Sequence, residues 1–376
     1  MKKAFSIAAA AAMTAASIAA ACMLGSCAGD TGRSIEGRLS LWVGEQNKEL
    51  FERIAADYEA ETGFPVVVNT YTGLTAPGNL ALDGPFGRGG DIYVQGGGGD
   101  LAQAVEQGLF LELDPVEMEL ETKFISGAQE LMQYQGKLYG VPLGTEVNAM
   151  FYNKDILPEF PETWEEMIEW AKSYNNFDGV RERDAVYGLL IDYSNPYYTW
   201  AINEAYGGYI FGQNEDGSWN PDDLGIATEG SIQAYEMIDS LMQTKFRSGK
   251  AAILLDGSWD LANFREAGIN VGIAPIPDIQ ISETETGTPM SFSGGYGLAI
   301  NSYSLNIEES IDFLKFATRD EYVLAYYQDT GRIPSTTGCA EDPEVLADEC
   351  LAGFFEQLEY SYPQPAINEL NAVWDP

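Results

Sequence analysis

The chain contains no histidine. That excludes Ser-His-Asp and Cys-His nucleophilic catalysis and every His-ligated zinc site. What remains is chemistry by carboxylate, hydroxyl, thiol and aromatic ring. The 58 acids make a pair of carboxylates at glycosidase spacing easy to place, so hydrolysis of glycosidic bonds is one reading, but no motif singles out a pair. The run Gln95-Gly96-Gly97-Gly98-Gly99-Asp100 lacks the Gly-Lys-Ser/Thr ending of a phosphate loop. Asn214–Asp223 (NEDGSWNPDD) departs from the spacing of a calcium loop and reads as a polar turn.

The four cysteines divide into two pairs. Lys2 and Lys3, the apolar stretch Ala4–Ala21 and then Leu24-Gly25-Ser26-Cys27 form a secretion signal ending in a lipobox. Cys22 leaves with residues 1–26, and Cys27 becomes the acylated residue that anchors the chain to a membrane rather than spanning it. Ala28–Gly37, containing glycine and serine, reads as a tether. Cys339 and Cys350 remain on the oxidising side, where a disulfide is permitted. On one continuous helix they would stand about 16 Å apart, too far to bond. Asp342-Pro343 reads as a helix start, leaving Cys339 in a loop that can fold back, so both the bonded and the free form stay open.

Loss of the signal removes two of 20 bases and no acids, leaving 18 against 58 and a net charge of −40. Such a surface repels nucleic acid and anionic lipid. At 376 residues the chain is long enough for two hydrophobic cores. Its pattern is βαβ. Leu39–Val43 is a strand; Leu50, Phe51, Ile54, Ala55 and Tyr58 follow at helical spacing, Gly63 stops the helix, and Pro65–Tyr71 is the next strand. Gly90–Val94 is a further strand, and Asp100 is expected to cap the helix through Leu101, Val105 and Leu109. Val271–Pro275 and Gly297–Asn301 are strands, and Asn306 with Glu309 forms a capping box before the next helix.

The segment Gly136–Glu166 (GKLYGVPLGTEVNAMFYNKDILPEFPETWEE) joins strand-like Leu138–Val141 and Val147–Tyr152 to a helix capped by Thr163 with Glu166 as reciprocal partner. It resembles the bacterial extracellular solute-binding proteins of the maltose and maltodextrin type, and the resemblance continues along nearly the whole chain after residue 38. It implies an α/β, two-lobed periplasmic-binding-protein-like fold with parallel-rich sheets and a ligand cleft between the lobes. The chain would cross between lobes near Thr145–Ala149, Ser291–Gly295 and Thr336–Asp342, with Gly294-Gly295 suited to a hinge. Residues 38–145 plus 296–340 would form the N-terminal lobe, and 146–295 plus 341–376 the C-terminal lobe, behind a signal at 1–26 and a tether at 27–37.

The resemblance also implies a site. Sugars offer C–H patches to aromatic faces and hydroxyls to carboxylates and amides. Tyr197, Trp259 and Trp374 match the family's aromatic positions, and Glu146 its hydroxyl-binding glutamate. Glu45 and Gln46 follow the first strand, where the family places polar ligand contacts. The family's tryptophan and Asp-Arg pair are replaced by the glycine run, leaving Gln95 and Asp100 as polar candidates, and Asn195 stands where a glutamate is usual. The implied ligand is therefore a maltodextrin-like oligosaccharide without singling out maltose. The implied role is capture outside the cytoplasm and delivery to the permease and ATPase subunits of an ABC importer, by a monomer without cofactor or metal. An extracellular carbohydrate-active hydrolase and a sugar sensor without a transporter are the other readings. Relatives carry a dozen or more extra residues between Thr244 and Phe246 and a further helix after Trp374, so the chain is either a compact variant or incomplete.

Overall fold

The expected βαβ opening forms. Leu39–Gly44 (β1) and Val66–Tyr71 (β2) pair in parallel, from Leu39 opposite Val66 to Gly44 opposite Tyr71. Between them lies Lys48–Thr62 (α1), which buries Leu50, Phe51, Ile54, Ala55 and Tyr58. Gly63 ends it at φ 77°, its N–H on the Glu59 carbonyl, a left-handed conformation that costs glycine least. The computed structural model describes residues 32–71, 77–176, 180–181, 184–192, 195–242 and 250–374. The lipobox with Cys27 and the 244–246 connection fall outside them. Within the stretch expected as a tether, Ser34 is already buried, with its hydroxyl on Asp91.

Ile92–Gly96 (β3) pairs in parallel with the other edge of β1. The helix after it, Gly98–Glu106 (α2), starts earlier than expected. Gly98, at φ 63°, bends the chain into the helix before Asp100 is reached, so Asp100 sits inside the first turn and does not cap it.

Leu138 of the first run expected around Glu146 sits in a separate short strand, Lys137–Leu138, paired with Gln133–Tyr134, while the second expected run and the crossing before it form one continuous strand, Val141–Asn153 (β4). Its first residues, Val141 and Leu143, belong to the core that holds β1 and α1, whereas Val147, Ala149, Met150 and Phe151 enter two further cores. Trp164–Tyr174 (α3) packs Trp164, Met167 and Ala171 there. Thr163 caps it, accepting from Glu166 N at 3.2 Å. The reciprocal half of the capping box is absent among the described contacts; the neighbouring Glu165 instead accepts from Gln280 N. The distal sheet continues through Val186–Leu190 (β5) and Lys250–Gly257 (β6), which are parallel to each other, and Val271–Ala274 (β7). Both β6 and β7 run antiparallel to β4.

Ser291–Ile300 (β8) carries the chain back. Phe292 lies in a distal aromatic cluster, and Leu298, Ala299 and Ile300 in the first core. β8 pairs antiparallel with β4, from Ser293 opposite Val147 to Leu298 opposite Val141, with a register shift between Tyr296 and Gly297. Ile307–Ala317 (α6) and Asp320–Thr330 (α7) complete the first core; the intervening helices are Pro196–Ala205 (α4) and Glu229–Met242 (α5). Ile333–Pro334 (β9) then pairs with β4 at Thr145 and Gly144, and Glu349–Glu359 (α8) packs on the distal cores. Ser361–Pro363 (β10) pairs in parallel with the start of β8. The sheet order is β2-β1-β3-β8-β4-β6-β5. It is mixed: parallel toward both ends, antiparallel in the middle, where β4 and β8 run between the lobes in opposite directions.

Two expectations are corrected. Asn306 precedes α6 but makes no side-chain cap. Its Oδ1 accepts from Gly37 N, and its Nδ2 reaches the Ile35 and Arg38 carbonyls and Asp91, long-range partners that outbid the helix end. Cys339 and Cys350 are free. Cys339 sits in the short helix Thr337–Ala340 with its thiol on the Asp320 carbonyl, while Cys350, in the first turn of α8, points at the Val271 carbonyl. Each thiol is packed into a different contact, so the permitted bridge does not form. Asn214–Asp223 forms the turn and second strand of a hairpin, in which Asp216 accepts from the Ser218 N–H and hydroxyl.

Candidate functional site

β4 pairs with both β8 and β9 around Gly144–Glu146, and a pocket of about 220 Å³ opens beside Glu146 and Gly294. Gly96–Asp100 forms one wall with Glu130 and Gln133. Glu146, Gly294 and Tyr296 form the floor, and Pro363 and Gln364 the opposite side. Gly295 admits no side chain: it has φ 144°, and a Cβ there would lie 2.2 Å from the Gly144 carbonyl oxygen. At Gly98 a Cβ would lie 3.3 Å from Gln364 Cβ, so the glycine run lets bare backbone approach the far wall.

Glu146 is the centre of the floor. Its Oε2 accepts from Arg332 Nε at 3.0 Å, with the two side chains 13 % and 9 % exposed. Burial pushes the Glu146 carboxyl above its ordinary range, and the Arg332 cation works against that shift. The guanidinium also lies over the Tyr296 ring, 4.5 Å from its centroid, a cation–π contact. Such a pair is costly to half-dismantle, because either partner alone is a buried uncompensated charge.

Behind Glu146 stands an aromatic stack. Tyr197, in the first turn of α4, lies 6.1 Å from Trp259 and 6.1 Å from Phe292. Trp200 stacks on Phe292 at 6.0 Å and 10°, and Tyr362 meets Phe292 edge-on at 5.0 Å. Burial, with Glu146 next in effect, holds the Tyr197 hydroxyl well above the usual tyrosine range, and the side chain bonds to Gln364. Burial pushes Asp256, at the end of β6 beside Tyr198, up to about 6. It pushes Glu204 up to about 7; Glu204 accepts from Tyr362 Oη at 3.4 Å, and Tyr362 accepts from Trp200 Nε1 at 2.7 Å.

Of the residues expected at the site, Glu146 and Asp100 line the pocket, and Tyr197 and Trp259 form the stack beside it. Gln95 is fully buried beside the glycine wall, its Nε2 on the Gly96 carbonyl and its Oε1 without a partner among the described residues. Glu45 and Gln46 are exposed on the turn after β1, away from the pocket lining. Asn195 caps α4, accepting from Tyr197 N at 3.0 Å. The Trp374 side chain is outside the described residues. Sequence reasoning missed Arg332, Tyr296 and Gln364. Arg332, one of 20 bases, carries a weak signal in Gly331-Arg332-Ile333-Pro334, a charge between a turn glycine and a short apolar strand.

Two packed lobes, with a polar pocket where β4 and β8 pair and aromatics at its side, define a cleft-type ligand-binding protein. The model of the bacterial extracellular solute-binding proteins matches residues 53–353, and the chain belongs to that family. It is 29% identical over 359 aligned residues to the galactooligosaccharide-binding protein of Bacillus subtilis, covering 90% of this chain and 82% of that one. It is 30% identical over 369 residues to the maltooligosaccharide ABC transporter solute-binding lipoprotein of Streptococcus pneumoniae, covering 92% and 84%. Among solved structures, a cyclo/maltodextrin-binding protein complexed with maltotetraose aligns at a TM-score of 0.79 with 27% identity, over 90% of this chain and 89% of that one.

Proposed function

We propose that the chain captures a neutral oligosaccharide outside the cytoplasm and delivers it to the permease of an ABC importer, whose ATPase it engages only through that permease. The carrying observation is the pocket where β4 meets β8: Glu146 and Asp100 can accept from sugar hydroxyls, and the Tyr197–Trp259 pair beside them can face sugar C–H surface. Closure of the lobes about Gly294-Gly295 then needs only a ligand that favours the closed state. The lobes in this reading are 38–145 plus 296–340 and 146–295 plus 341–376, and the chain acts as a monomer held to the membrane by lipid at Cys27. Relatives named for maltooligosaccharides and for galactooligosaccharides support an oligosaccharide of one of these kinds. The named relatives are binding proteins, which supports binding without catalysis.

Tryptophan emission of the chain, titrated with maltotriose and then with galactooligosaccharides, tests this. A saturable change with one of them is expected. No response to any sugar, in a sample shown to be folded, contradicts it.

A further inference from the structure

Glu146, Arg332 and Tyr296 come from three segments far apart in sequence: β4, the residue before β9, and β8. They meet in one contact, with Arg332 Nε 3.0 Å from Glu146 Oε2 and the guanidinium over Tyr296. Only one carboxylate oxygen is used. Among the described residues Glu146 Oε1 accepts no hydrogen bond, and it lies on the pocket side, 3.6 Å from where a Cβ on Gly294 would stand. Arg332 is held on its other side too: Tyr326 bonds to its side chain and the Tyr296 ring lies under its guanidinium.

We propose that Arg332 is the positioning residue of this cleft, fixing the Glu146 carboxylate as an acceptor whose free Oε1 faces a hydroxyl of a neutral sugar. This rests on the binding reading above. The logic is one of division. A guanidinium that satisfies one oxygen leaves the other needing a donor, and a sugar hydroxyl supplies one where a second carboxylate or a carbonyl cannot. The groups facing Glu146 are Arg332, Tyr197 of α4, Tyr296 of β8 and Tyr326 of α7, with Asp100 and Glu130 on the same pocket. Arg332 is the sole cation in that set, so the acceptor form of Glu146 depends on it. An anionic sugar would meet three carboxylates and a cation already engaged.

The test is maltotriose binding by calorimetry, from about pH 5.5 to about pH 8, on the full chain and three variants. Wild-type affinity is expected to change little. In Arg332→Gln, burial acts on Glu146 without compensation, so affinity falls as the pH is lowered, by up to about tenfold per unit, the limit for one proton. Arg332→Lys restores part of the flat profile, and Arg332→Gln with Glu146→Gln is weak and flat. A pH-independent loss in Arg332→Gln, or no loss, overturns the proposal.

Unfolding by urea supplies a readout without sugar. With the folded-state carboxyl raised above its unfolded value, Arg332→Gln loses stability relative to the double variant as pH rises, and equal profiles overturn the proposal too. If maltotriose fails to bind even the wild type, the maltotriose reading falls, while the unfolding profiles still decide the role of Arg332.

Discussion

The two sides of the cleft are built from opposite materials. On the N-terminal side the wall is backbone and carboxylate: four glycines in a row, Asp100 and Glu130. On the other side stand rings in a chain of contacts: Trp259 on Tyr197, Tyr197 on Phe292, and Trp200 and Tyr362 on Phe292. Bare backbone offers no stacking face, so apolar contact with a ligand must come from the aromatic side and hydroxyl recognition from the floor and glycine side. The contrast also separates stiffness. The ring stack is interlocked by packing, whereas the glycine wall bends at Gly98 through a left-handed φ of 63° that glycine adopts at low cost.

Breaking the floor that joins the two sides should have the largest effect. Glu146→Ala leaves Arg332 buried without its carboxylate and is expected to cost about 3–5 kcal/mol of stability in urea unfolding. Adding Arg332→Met should recover most of the loss, because a buried pair replaced by apolar packing is often neutral. On the aromatic side, Trp259→Ala should weaken sugar binding by about 1–3 kcal/mol with the fold intact, read by calorimetry.

The smallest effect sharpens the contrast by pH. Glu204, tied to Tyr362 under the ring stack, is raised to about 7 by burial. A carboxyl raised in the folded state contributes stability below its ordinary range that is lost as pH rises through about 7. Glu204→Gln should therefore gain on the wild type between pH 5 and 8 in thermal melts, with no such trend in a variant of the glycine wall.

Legibility in the sequence followed the range of the interactions. α1 was readable to its five buried positions and its stop at Gly63, because helix periodicity and a left-handed terminator are local. The second half of β4 was readable from its own residues, whereas Glu146 came only through the resemblance of the segment around it. The Asn306 cap was misread because partners in the N-terminal segment and at Asp91, far off in sequence, take its side chain. Arg332 was not legible for a related reason: its role exists only where three distant strands converge, and Gly-Arg-Ile-Pro carries no period that announces it. Gln364 reaches the pocket on a segment with no repeating pattern. Cys339 and Cys350 left both states open, and tertiary packing decided for free thiols.

The central claim is that a sugar bridges the polar and aromatic sides and draws the lobes together. Small-angle scattering of the chain with and without saturating maltotriose, repeated with galactooligosaccharides, tests it most directly. A fall in radius of gyration with one of these sugars, absent in Glu146→Gln and in Trp259→Ala at the same sugar concentration, is the predicted result. Unchanged dimensions with every sugar at saturation, or equal compaction in both variants, would contradict it.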